Sequence, residues 1–78
     1  MRCDICGQHT ARTRRVTRCF GEGASTFLIE EVPLVTCASC GEGYLAAETL
    51  REIERIRAKW RELSVEKSMP VVRFGDAP

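Results

Sequence analysis

A chain of 78 residues makes one domain at most, and it is too short to bury enough apolar surface to offset the ordering of its own backbone comfortably. Its net charge of +1 argues against strong bulk attraction to nucleic acid, and no stretch approaches the ~20 apolar residues of a membrane helix. Five cysteines are the obvious staple, as disulfides or as metal ligands.

The opening Met1-Arg2-Cys3-Asp4-Ile5-Cys6 holds no apolar run able to act as a secretory signal. A cytoplasmic location is therefore expected, where thiols stay reduced and disulfides are rare, which favours metal ligation. Charge is unevenly placed. Residues 1–20 carry five arginines against Asp4 alone, whereas residues 21–48 carry five glutamates and no base. A basic strand paired with an acidic one is the expected consequence, since opposite charges across strands support pairing modestly.

Residues 3–7 read Cys-Asp-Ile-Cys-Gly and residues 37–41 read Cys-Ala-Ser-Cys-Gly, the only internal repeat. Between them lie two extended segments, Arg12 to Phe20 and Thr26 to Val32, separated by Gly21-Glu22-Gly23-Ala24, which predicts a hairpin. Pro33 lacks a donor and is expected to end or bend the second strand, with Val35 resuming an extended run into the second loop. Leu50, Ile53, Ile56, Trp60 and Leu63 then recur at helical spacing among charged residues, which predicts a helix over 47–63. Glu52 with Arg55 and Glu54 with Arg57 are spaced to support it by i,i+3 pairing. Pro70 precedes a short strand-like run, Val71-Val72-Arg73-Phe74, and residues 75–78 are expected to be a disordered end. The expected fold is thus a small α+β domain over residues 1–74. Zinc knuckles and a zinc-ribbon-like hairpin occupy 1–45, a long amphipathic helix follows at 47–63, and an extended tail at 70–74.

Two Cys-x-x-Cys loops can each turn two thiolates onto one ion, and zinc prefers four soft ligands in a tetrahedron. Cys3, Cys6, Cys37 and Cys40 are therefore the expected ligands of one structural Zn2+. The glycine after each pair suits a loop that turns tightly and aims backbone amides at sulfur. His9 is close enough to reach a metal, but four thiolates already fill the coordination number, so a surface role is expected. Cys19 has no partner loop and is expected to be a small buried apolar residue of the first strand. Iron remains the competing metal, because it accepts the same four thiolates and the loop arrangement also looks like a rubredoxin. A near-neutral chain, 6% aromatic, with a long charged helix after the second loop favours zinc.

The order of these features resembles a known family. An N-terminal Cys-x-x-Cys loop, a hairpin, Glu31-Val32-Pro33 leading into Cys37-Ala-Ser-Cys40-Gly-Glu, and a following helix resemble the YgiT-type zinc-finger domain, the N-terminal domain of MqsA-family antitoxins. The resemblance covers roughly residues 1–74. It implies that the metal is structural, that the four cysteines match the family's ligands one for one, and that the domain binds and neutralises a cognate toxin, a ribonuclease in the best-known branch. It does not extend to the helix-turn-helix of longer members, so operator binding is not among its implications.

The leading expectation is therefore a zinc-stabilised antitoxin whose partner is a toxin protein and whose helix holds either to its own domain or to a second copy. A nucleic-acid-binding zinc ribbon is the alternative, with Arg12, Arg14, Arg15 and Arg18 as phosphate contacts, although no aromatic residue interleaves them. Electron transfer by iron is a third. Catalysis is not expected, because a thiolate-saturated site keeps no open position for water.

Overall fold

The computed structural model describes residues 1–75; residues 76–78, part of the expected disordered end, lie outside the described residues. Three strands form one antiparallel sheet in the order β1 (Ala11–Phe20), β2 (Phe27–Cys37) and β3 (Gly43–Tyr44), and one helix follows, α1 (Ala47–Leu63). This is a zinc-ribbon-like α+β fold. The hairpin turn tightens into a single 3₁₀ turn at Gly23–Ser25. Gly21 is required there: its φ is +81°, and a Cβ would collide with the Ser25 carbonyl oxygen.

Contrary to the expectation at Pro33, β2 runs unbroken to Cys37, with Pro33 opposite Arg15. The reason is that β3 reaches only Val35 and Thr36. At Pro33 the side of β2 away from β1 is open, and a missing N–H there costs no ladder bond. The interruption lies earlier. Register slips between Val16 and Arg18, so that Glu30 and Glu31 together stand opposite Thr17 in a β-bulge, and Glu31 takes φ +60°. A left-handed conformation costs a non-glycine residue about 1–2 kcal/mol. Glu31→Gly is therefore expected to raise stability by about 1 kcal/mol, net of the chain entropy glycine adds, read as an upward shift of the urea midpoint.

That bulge also overturns the expected charge pairing. Arg12, Arg14, Arg15 and Arg18 face Thr36, Leu34, Pro33 and Ile29, so none has a carboxylate across the ladder. Arg15 instead donates to the Glu31 carbonyl oxygen at 3.3 Å, and Glu30 pairs with Lys67 of the tail at 2.9 Å. Of the two helical pairs, Glu52 and Arg55 do meet. Arg57 lies over the Phe20 ring, 5.5 Å from its centroid.

Packing gathers at both ends of the hairpin, and Val32 and Ile53 are buried between them. At one end Cys3, Ala11, Val35 and Cys37 are buried together, with Cys40 and Tyr44 against them. At the other end Phe20 stacks on Phe27 and Phe27 on Trp60, the latter with centroids 4.8 Å apart and planes 7° from parallel. This stack seats α1 on the hairpin tip. The helix is non-helical at Lys59 (φ −131°, ψ 20°), one residue before the indole. Ile53 is its buried residue. Cys19, expected inside, is exposed, because it stands opposite Leu28 where neither residue is covered. Val71–Phe74 forms no strand and is exposed, with Phe74 and Gly75 in a turn.

Candidate metal centre

Two near-identical loops build the site. In the first, the Cys3 N–H donates to the Gln8 carbonyl at 2.8 Å and the Gly7 N–H to the Cys3 carbonyl at 2.9 Å. In the second, the Cys37 N–H donates to the Glu42 carbonyl at 3.1 Å and the Gly41 N–H to the Cys37 carbonyl at 2.9 Å. Both closures require a left-handed residue after the second cysteine, and Gly7 (φ +78°) and Gly41 (φ +72°) supply it. The sheet brings the loops together. Ala11 pairs with Cys37 at the head of the ladder, and the Ala11 N–H donates to the Met1 carbonyl at 3.0 Å, tying the first loop to β1. The Tyr44 hydroxyl accepts from the Asp4 N–H at 3.0 Å, tying it to β3.

The result places the sulfurs of Cys3, Cys6, Cys37 and Cys40 within 4.8 Å of one another. Cys3 and Cys40 are 3.8 Å apart, and Cys6 and Cys37 3.6 Å apart. A tetrahedron with metal–sulfur bonds of about 2.3 Å needs sulfur–sulfur separations of about 3.8 Å, so the cluster has the size of a tetrathiolate metal site. Separations this long are no disulfide. Cys3 and Cys37 are buried and Cys6 is exposed, which leaves the ion a path in from solvent. His9 is exposed and outside the cluster.

The surroundings bias the thiols unequally. Thr10, whose hydroxyl lies 3.3 Å from the Cys37 sulfur, lowers the Cys37 pKa to about 6, helped by the backbone amides of Cys40 and Ser39. Ser39 in turn lies 2.6 Å from the Thr10 hydroxyl and fixes its direction. Backbone donation at Glu42 opposes, but does not overcome, the burial and thiol crowding that push Cys40 up to about 12. Cys6 is shifted upward by the same crowding, against a backbone hydrogen bond at Gln8. The surroundings of Cys37 thus favour its thiolate and those of Cys6 and Cys40 their thiols, so a cation held by all four sulfurs would have to displace protons.

Thr10 and Ser39 carry no recognisable spacing; a hydroxyl just before the first strand is a weak signal that only the fold makes legible. Thr10→Val removes the bond to sulfur at nearly constant volume. It is expected to weaken metal binding by about 10-fold or somewhat more, measured by competition with a chromophoric chelator.

Comparison with known protein families, curated proteins and solved structures finds no match for this chain.

Proposed function

We propose that this chain is a zinc-stabilised interaction protein, an antitoxin that binds and neutralises a cognate toxin, with a ribonuclease as the expected partner. One observation supports a structural role for a metal: two loops bring four cysteine sulfurs within 4.8 Å of one another, the size a tetrahedral tetrathiolate site needs. Such a site supplies a cross-link and keeps no open position for an activated water, so the chain is not an enzyme on this reading. Cys3, Cys6, Cys37 and Cys40 would hold the ion. The order of loops, hairpin and helix, with its resemblance to the YgiT-type domain, supports the antitoxin assignment, in a cytoplasmic setting where thiols stay reduced.

The outer edge of β1 is the contact surface this reading uses. The strand is ten residues long and has a partner on one side only. Its arginines are exposed and face no carboxylate across the ladder. Like charges discourage two such edges from pairing with each other and suit an acidic extended segment of another protein.

A nucleic-acid-binding zinc ribbon is favoured by the same arginines, because Arg12, Arg14 and Arg18 share one face of the strand. The aromatic residues count against it. Phe20, Phe27 and Trp60 are stacked among themselves, with Arg57 over Phe20 and Arg61 over Trp60, so these faces are not open platforms for bases.

The test is co-purification with a tagged toxin from the adjoining reading frame. Arg15→Glu with Arg18→Glu is expected to abolish capture while metal content and helicity hold, and Arg51→Glu with Lys59→Glu to leave capture unchanged. Duplex DNA is expected to bind no tighter than the non-specific range of ~10⁻⁴–10⁻⁶ M at physiological salt. Nanomolar, sequence-specific binding would replace the antitoxin reading with the nucleic-acid one.

A further inference from the structure

We infer that the groove between β2 and α1 seats a second copy of this chain, and that the C-terminal segments 69–74 of the two copies fill each other's grooves. The inference does not rest on the antitoxin reading. It starts from surface. The chain exposes 6562 Å², whereas a compact monomer of 8.8 kDa is expected to expose about 4,800 Å². Its radius of gyration is 15.7 Å against about 11.5 Å for a compact chain of this length. The excess, roughly 1,800 Å², exceeds the ~800 Å² that each partner gives up in a standard interface and falls in the range of obligate pairs.

Where the surplus lies points to the occupant. An open groove of about 750 Å³ runs between the sheet and α1, with Pro33 and the buried Val32 and Ile53 at its base, and with Glu31, Glu48 and Glu52 among its lining beside Arg15 and Arg55. The edge of β2 that faces away from β1 has no strand partner before Val35 among the described residues, because β3 covers only Val35 and Thr36. An extended segment entering there gains both backbone hydrogen bonds and an apolar floor. The chain carries such a segment. Met69, Val71, Val72 and Phe74 are 53%, 83%, 78% and 103% exposed, without a strand partner. Within the chain Lys67 meets the Glu30 carboxylate at the groove's edge, and the lining carries four carboxylates against Arg15 and Arg55, so a tail with Lys67 and Arg73 against Glu66 meets a net acidic lining.

A second copy fits better than the chain's own tail. Closing the tail back on its own groove would still leave Leu50 and Leu63, 49% and 48% exposed at the two ends of the helix's apolar stripe. A second chain reaches both. With net charge +1, two copies do not repel each other. Groove and tail lie on the same chain, so one contact repeated about a two-fold axis closes the pair.

The test uses the full metal-loaded chain in sedimentation equilibrium, from low to high micromolar. A mass of twice 8.8 kDa is expected. Val72→Asp with Phe74→Asp, both at exposed positions far from the cysteines, is expected to raise the dimer dissociation constant on the order of 100-fold with metal content unchanged. In a dimer mixed from labelled and unlabelled chains, isotope-filtered spectra are expected to show the Phe74 ring of one copy against the Ile53 methyls of the other. A monomer at every concentration, a Phe74–Ile53 contact confined to one chain, or a dimer indifferent to the two aspartates would each overturn the inference.

Discussion

Stripping the metal with a strong chelator is expected to dissolve the sheet. Structural zinc contributes roughly 10–16 kcal/mol in small zinc domains, at or above the whole stability of a domain this size. The buried cluster at the head of the hairpin consists of Cys3, Ala11, Val35 and Cys37, so two of its four members are proposed ligands. Without the ion, thiols packed 3.6–3.8 Å apart lose the charge that held them together. Cys37→Ser is expected to act like the chelator, since it removes a proposed ligand whose surroundings favour the thiolate. Far-ultraviolet circular dichroism with and without metal reads the effect, and an unchanged spectrum would refute it. Acid is expected to do the same. The Cys37 pKa lies below its ordinary 9.0, so its contribution is complete above about pH 9 and is lost as pH falls through about 6. In the metal-free chain Cys40, raised to about 12, has the opposite sign: its contribution is complete below 9 and is lost as pH rises through 12. Metal occupancy followed against pH is expected to fall at the acid end.

Trp60→Ala is expected to produce the second largest loss, and to spare the metal. Full truncation of a buried tryptophan costs about 3–5 kcal/mol; a half-buried one in a stacked pair is expected to cost about 2–3 kcal/mol. The indole carries the Phe27 stack and lies beneath Arg61, whose guanidinium is 4.4 Å from its centroid. That contact sits at the hairpin tip, with Ala11 and Cys37 at the other end of a ten-residue strand, about 30 Å away at strand rise. Helical signal should therefore melt earlier in urea while one metal ion per chain is retained. Trp60→Phe keeps a ring against Phe27 and is expected to recover most of the loss. Coincident loss of helix and metal in Trp60→Ala would show that the two ends are one cooperative unit.

The cluster of four cysteines was legible in the sequence because its geometry is largely local. Each Cys-x-x-Cys-Gly loop closes with its own backbone hydrogen bonds, and the only long-range requirement is that a hairpin bring two loops together. The helix was legible because Leu50, Ile53, Ile56, Trp60 and Leu63 repeat at its period. What depends on neighbours in space was not. Whether Pro33 breaks a strand depends on how far β3 reaches along the opposite edge, and two residues of β3 carry no pattern of their own. The bulge at Glu30–Glu31 shifts the register so that Arg18 meets Ile29 and not Glu30, yet no residue type there demands it. Cys19 follows strand alternation but meets no covering layer. Thr10 matters only because the fold lays it beside a sulfur.

The central claim is that four cysteines hold one structural zinc ion, and elemental analysis of the purified chain together with its visible spectrum tests it most directly. One zinc per chain and no visible absorption is the expected result. A red protein containing one iron per chain, or a metal-free chain that keeps its sheet, would contradict it.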